Sequence, residues 1–134
     1  MRWLDTNIFL RFLTNDDRAK AAACLALFQQ VQRGDEWLTT SESIVAEVTF
    51  VLTRQYHLSH SEITARLRPV LSLSGLRISE KHTVLRALEY FGESERLDFE
   101  DALSVAHMER LGISEIVSYD RDFDRVSGIV RQEP

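Results

Sequence analysis

The sequence predicts an α/β fold in which helices cover a central parallel sheet. Two observations predict it. Short apolar runs alternate with longer stretches of helical periodicity along the whole chain. Glycines and capping residues stand at the boundaries between them. No repeat, low-complexity tract or linker interrupts the pattern, and 134 residues suit one domain, 1–134.

Arg2-Trp3-Leu4 is a short run ending at Asp5 and reads as the first strand, followed by a helix from Thr6 to Leu13. Asp16 or Asp17 caps a second helix that runs to about Arg33 and ends at Gly34. Trp37-Leu38-Thr39 is the second strand. Ser41 caps the next helix, with Ile44, Val45, Val48, Val51 and Leu52 at helical spacing. A helix from about Ser61 to Leu73 follows, capped by Ser59 or Ser61 and broken by Gly75; Leu76-Arg77-Ile78 is the third strand. Lys81 to Phe91 is helical and stops at Gly92, and Phe99 to Leu111 is helical and stops at Gly112. Ile113 to Val117 is a fourth strand and Gly128-Ile129-Val130 a candidate fifth. Such alternation implies a parallel sheet of four to five strands with helices on both faces. Ligands of such sheets gather beyond the carboxyl ends of the strands.

Composition narrows the function. At 44% hydrophobic and 28% charged residues the chain is an ordinary globular one. No stretch approaches the ~18 apolar residues of a membrane span. The run Ile8-Phe9-Leu10 is interrupted by Arg11 and preceded by Asp5, which is not the pattern of a secretory leader. The one cysteine, Cys24, excludes an internal disulfide and sits in an Ala-rich helix as a small buried residue. The expected compartment is the cytoplasm. The formal net charge of −5 argues at first against a phosphate-bearing partner. Five carboxylates considered next account for that whole excess, and bound cations reverse the local sign. The basic residues are almost all arginine, which suits bidentate phosphate contacts.

Those carboxylates are Asp5, Glu47, Asp98, Asp101 and Asp120. Asp5 ends the first strand and Asp120 follows the fourth, so both are expected at one edge of the sheet. Asp98 and Asp101 open a helix. Glu47 lies mid-helix between Ile44 and Val51, at the border of the buried stripe, where an unpaired carboxylate is costly. Each has a structural reading too. Asp98 and Asp101 resemble an N-cap and its N3 partner, Asp5 is a possible cap, and Asp120 falls in the acidic run to Asp124. The functional case rests on their meeting at one rim. Crowded carboxylates raise one another's pKa. A divalent cation removes that conflict, and an all-carboxylate set favours Mg²⁺ or Mn²⁺ over zinc. Such ions support in-line phosphoryl displacement without a histidine base. Thr6 is expected to cap the first helix or to orient Asp5 or water; Asn7 and Ser118 are expected in supporting hydrogen bonds. His57 and His60 straddle a turn with no cysteine near, so no zinc site is expected there; His82 and His107 are isolated and expected to be surface or packing residues, and there is no glycine-rich phosphate loop or nucleophile elbow.

Four segments carry a resemblance. Leu4-Asp5-Thr6-Asn7-Ile8-Phe9-Leu10, Val45-Ala46-Glu47-Val48, Leu97-Asp98-Phe99-Glu100-Asp101-Ala102-Leu103 and Val117-Ser118-Tyr119-Asp120-Arg121-Asp122-Phe123 resemble, in order and spacing, the acidic motifs of PIN-domain ribonucleases. The likeness is greatest to the VapC toxins of toxin–antitoxin systems. It implies a PIN-like three-layer α/β/α sandwich and Mg²⁺- or Mn²⁺-dependent endoribonuclease activity. Asp5, Glu47, Asp101 and Asp120 match the family's metal-binding acids, and Asp98 matches a frequent extra acid. Asp122 is a neighbour able to substitute for Asp120. Ser118 stands where threonine is common. The resemblance further implies an RNA substrate, a homodimer and a cognate VapB-like antitoxin whose C-terminal segment covers the acidic site. Two alternatives have distinct signatures. A PIN-like domain that binds without cutting is expected to lack one of the acids. A haloacid-dehalogenase-type phosphatase requires an acid two residues after Asp5, where this chain has Asn7.

Overall fold

The computed structural model describes residues 1–134. Side-chain caps set most helix starts. Helix α1 (Thr6–Thr14) follows the first strand, β1 (Arg2–Trp3). Asp17, rather than Asp16, caps α2 (Arg18–Arg33) by accepting from the Lys20 amide. Asp16 instead accepts from the Tyr56 hydroxyl at 2.6 Å and from Thr14 Oγ1 at 2.9 Å, and these bonds hold its carboxyl below the usual range. After β2 (Leu38–Thr40), Ser41 caps α3 (Glu42–Arg54) and Ser59 caps α4 (His60–Leu71). Strand β3 (Leu76–Ile78) leads into α5 (Lys81–Glu93), and Asp98 caps α6 (Phe99–Leu111). The chain closes with β4 (Glu115–Val117), a 3₁₀ turn (Arg121–Arg125) that the sequence pattern does not announce, and β5 (Val130–Gln132).

All strand pairs are parallel, as expected, but the ladder is divided. β1, β2 and β3 form one three-stranded sheet, and β4 pairs with β5 in a separate two-stranded one. A single sheet of four to five strands is therefore not formed. β1 is two residues long and its backbone bonds run to the β2 side, from Arg2 N to Trp37 O and from Leu4 N to Thr39 O. β5 starts two residues later than its apolar run, because Gly128 takes φ +84° in the preceding turn.

Alternation along the strands decides what is covered. Leu38, Thr40, Leu76 and Ile78 are buried, and the three apolar ones join Leu4 in a core built from α1 to α6. One residue out of phase, Trp3 is 59% exposed, Thr39 half-buried and Arg77 exposed. This second face is more open than the expected cover on both sides, since Thr39 and Arg77 give a helix little apolar surface to bury. Cys24 is buried as expected, and burial pushes its thiol up. No helix is long and apolar enough to cross a membrane.

Gly92 does not stop α5, which continues to Glu93. The glycine is a contact point: a Cβ there would lie 2.7 Å from Thr64 Oγ1 and 3.1 Å from Thr64 Cβ on α4. Around it, Arg68, Glu89, Arg86 and Glu109 form an ion-pair ladder across α4, α5 and α6. Gly92→Ala gains about 1 kcal/mol of helix propensity but overpacks a stiff β-branched neighbour, at a cost of roughly 1–3 kcal/mol. The expected outcome is a lower urea midpoint at unchanged slope. A midpoint above that of the unmodified protein would show that α4 and α5 do not need the close approach.

Candidate active site

The rim is built where the strands end. Buried Thr40 at the end of β2 donates from Oγ1 to Leu4 O at 2.9 Å, tying the end of β1 beside the start of α3. Asp5 follows Leu4 and occupies the N-cap position of α1, yet its side chain makes no capping bond. The carboxylate is exposed and uncommitted, so capping does not explain it.

Thr6 is buried and its hydroxyl donates to Glu47 Oε2 at 2.8 Å. This bond fixes Glu47 of α3 against the first turn of α1. It corrects two expectations. Thr6 neither caps its helix nor orients Asp5, and Glu47, expected at the border of the buried stripe, lies on its exposed side with the Thr6 hydroxyl as its partner. Asn7 is exposed.

On α6, Asp98 Oδ1 accepts from the Asp101 amide at 2.8 Å, the N-cap and N3 relation read from sequence. Asp101 is half-buried, and its carboxyl is pushed up to about 6. Burial is the largest cause, followed by the negative charges of Asp98, Asp120, Asp122 and Glu100. Asp120 lies after β4 in a tight turn. Its amide donates to Ser118 Oγ at 3.0 Å, and its Oδ1 accepts from the Asp122 amide at 2.9 Å. Buried Phe123 anchors the turn, so the acidic run is a structured 3₁₀ segment rather than a solvated loop.

Asp98, Asp101, Asp120 and Asp122 thus share one electrostatic field, while Asp5 and Glu47 are joined through Thr6. The two groups are linked by packing of α3 on α6, where Glu42 and His107 also meet at 3.1 Å. No three Asp, Glu, His or Cys side chains stand close enough to enclose a cation unaided. The spacing is wider than the crowded cluster expected from sequence. The donors nevertheless fit Mg²⁺ or Mn²⁺ in kind. Every one is a carboxylate, and Mg²⁺ is commonly held by one or two carboxylates, the other positions going to water and phosphate oxygens. Burial first, and then the repulsion of its acidic neighbours, raises the Asp101 carboxyl, and a nearby cation relieves the second of these.

A family model described as "PIN domain" matches residues 3–129. The chain belongs to the PIN-domain family. It is also similar to the VapC ribonuclease of Aquifex aeolicus (strain VF5), with 23% identity over 126 residues that cover 94% of this chain and 92% of the relative.

Three contributors to this PIN domain's site escape sequence reading. Glu100 acts on Asp101 through its charge, and lay inside a motif already singled out. Arg131 donates from Nη1 to Ser118 O at 2.9 Å and so holds the turn that carries Asp120. An arginine inside a short strand was the only signal for it. His107, expected to be isolated, pairs with Glu42. His60 is a packing residue: it is buried, stacked on Phe91 at 3.8 Å, with Nδ1 placed to donate to Phe91 O and Ser94 O.

Asp101 gives a stability prediction for the protein in EDTA. Its folded pKa lies above the unfolded value of 3.8. Between the two, the folded state binds the extra proton, so this group's contribution falls as pH rises through roughly 4 to 6. Asp101→Asn removes the ionised form and is expected to stabilise the metal-free protein at pH 7 by up to about 1 kcal/mol, with the gain shrinking toward pH 4. Thermal melts at pH 7 and pH 4 check this; equal shifts at both pH values would contradict it.

Proposed function

We propose that this PIN domain is a metal-dependent endoribonuclease of the VapC type that hydrolyses RNA phosphodiester bonds. One observation carries the reading: Asp98, Asp120 and Asp122, at strand and helix ends, lie near enough to Asp101 for their charges to add to burial in raising its carboxyl. The likeness to a VapC ribonuclease over nearly the whole chain supports RNA as the polymer. Asp5, Asp101 and Asp120, with Glu47, are the residues that would hold Mg²⁺ or Mn²⁺. When bound, the cation supplies positive charge for the scissile phosphate and acidifies a water molecule.

The chain's own residues do the positioning. Thr6 holds Glu47. Asp98 fixes the first turn of α6 and thereby Asp101. Ser118 and Arg131 shape the turn of Asp120, and Asp122 closes it. Residues 1–134 form the working unit, acting in the cytoplasm as a homodimer and as the toxin of a toxin–antitoxin pair. A VapB-like antitoxin fits that role, because an acidic rim is a complementary receiver for a basic side chain. The spacing of the acids favours one other reading, an RNA-binding domain that does not cut. Calorimetric titration with Mn²⁺ separates the two, since a mere scaffold yields no saturable heat.

The direct test is cleavage of structured RNA with Mg²⁺ or Mn²⁺, which EDTA and Asp5→Asn are expected to abolish. Activity indifferent to both would overturn the mechanism. Thr6→Val, which leaves Glu47 without its donor, is expected to lower kcat/KM roughly 10- to 100-fold. Thr6→Ser keeps the hydroxyl and should stay within a few-fold of the unmodified protein.

A further inference from the structure

A groove of about 440 Å³ lies between α3 and the start of α6. It is continuous with the acidic rim, because Asp98 lines it and Ala46, the neighbour of Glu47, forms part of its wall. On α3 the residues Glu47, Phe50 and Arg54 follow at i, i+3 and i+7, and so share one helix face. At 1.5 Å rise per residue, Phe50 stands about 4.5 Å and Arg54 about 10.5 Å along the axis from Glu47. All three are exposed. The face therefore reads outward from the site as carboxylate, aromatic, cation.

Two features of this face suit an external ligand. Phe50 is 60% exposed, and the Arg54 guanidinium carbon lies 5.6 Å from its ring centroid, within cation–π range. Arg54 and Arg96 both line the groove and have no carboxylate partner, a state they share with Arg18, Arg66, Arg77 and Arg121, so both guanidinium groups are free to meet an anion there. Two of the acids in the groove are already engaged: Glu95 Oε1 accepts from the His60 amide at 2.7 Å, and Asp98 caps α6. The third, Glu100, acts on Asp101.

We infer that this groove is a subsite for one unpaired nucleotide of the RNA adjoining the scissile phosphate. The base stacks on Phe50, and its phosphate pairs with Arg54 and Arg96. The inference rests on the ribonuclease reading for its ligand. Aromatic side chains flanked by arginines bind single-stranded nucleic acid in this manner, because every base presents a π-face. A protein segment would be poorly served: of the groove's apolar side chains, Phe91 and Phe99 are buried and only Phe50 stands out.

The test uses the full chain and a fluorescein-labelled RNA with a single-stranded cleavage region, followed by anisotropy for binding and by gel for cleavage. Phe50→Ala is expected to raise Kd and KM roughly 5- to 100-fold, the range of base–aromatic stacking, with kcat little changed. Phe50→Trp should restore both. Removing the base next to the cleaved bond should weaken binding equally and make it indifferent to Phe50→Ala. Arg54→Gln should reduce the slope of log Kd against log salt by about 0.7. Circular dichroism confirms folding of each variant. Phe50→Ala within two-fold of the unmodified protein overturns the subsite, as does a Phe50→Ala effect on oligomeric mass alone, which assigns the face to a second copy. RNA bound in a Phe50-dependent way but never cut would refute the nuclease reading and leave the subsite standing. Absence of both binding and cleavage refutes the two together.

Discussion

Carboxylates repel, and this molecule has to hold several of them at one rim. Helix geometry eases the burden. Asp5, Asp98 and Asp120 occupy the N-cap positions of α1, α6 and the 3₁₀ turn, where free amides and the positive end of the helix dipole favour negative charge. Such placement is worth roughly 0.3–1 kcal/mol per acid. Asp101 has the least relief. It accepts no bond comparable to that of Asp98 or Asp120, it is half-buried, and its carboxyl carries the strain as a raised pKa.

Around that constraint the side chains divide the labour. Thr6, Thr40, Ser118 and Arg131 touch the backbone or side chains of the acidic segments and keep them in register with the strand ends. The ladder of Arg68, Glu89, Arg86 and Glu109 ties α5 to its two neighbours on the far side. The acids that matter at the rim are thereby left without cationic partners of their own, apart from Asp122, which lies 4.0 Å from Arg125. A rim so arranged keeps its charge for something from outside.

Much of this was legible from the chain. The strand ending at Asp5, the cap at Ser41, the Asp98–Asp101 pairing and the glycine ends at Gly34 and Gly112 all rest on local rules acting over three or four residues. What escaped depends on contacts distant in sequence. The Thr6–Glu47 bond joins residues 41 apart, and no periodicity encodes it. Gly92 reads as a helix stop, because a glycine near a helix end ordinarily is one; only the approach of α4 gives it another purpose. The divided sheet likewise reflects pairing between strands of two or three residues, too short for their pattern to specify partners. The side of the apolar stripe on which Glu47 falls was not legible, because a residue at its border can lean either way.

The shielded thiol of Cys24 has a practical consequence. The chain's one sulfhydryl is buried in α2, and its ionisation is disfavoured, so alkylating reagents and mild oxidants find little thiolate to attack. A cysteine introduced on the surface would be the reactive one. Spectroscopic labels can therefore be attached at a chosen position while the native sulfur stays in place.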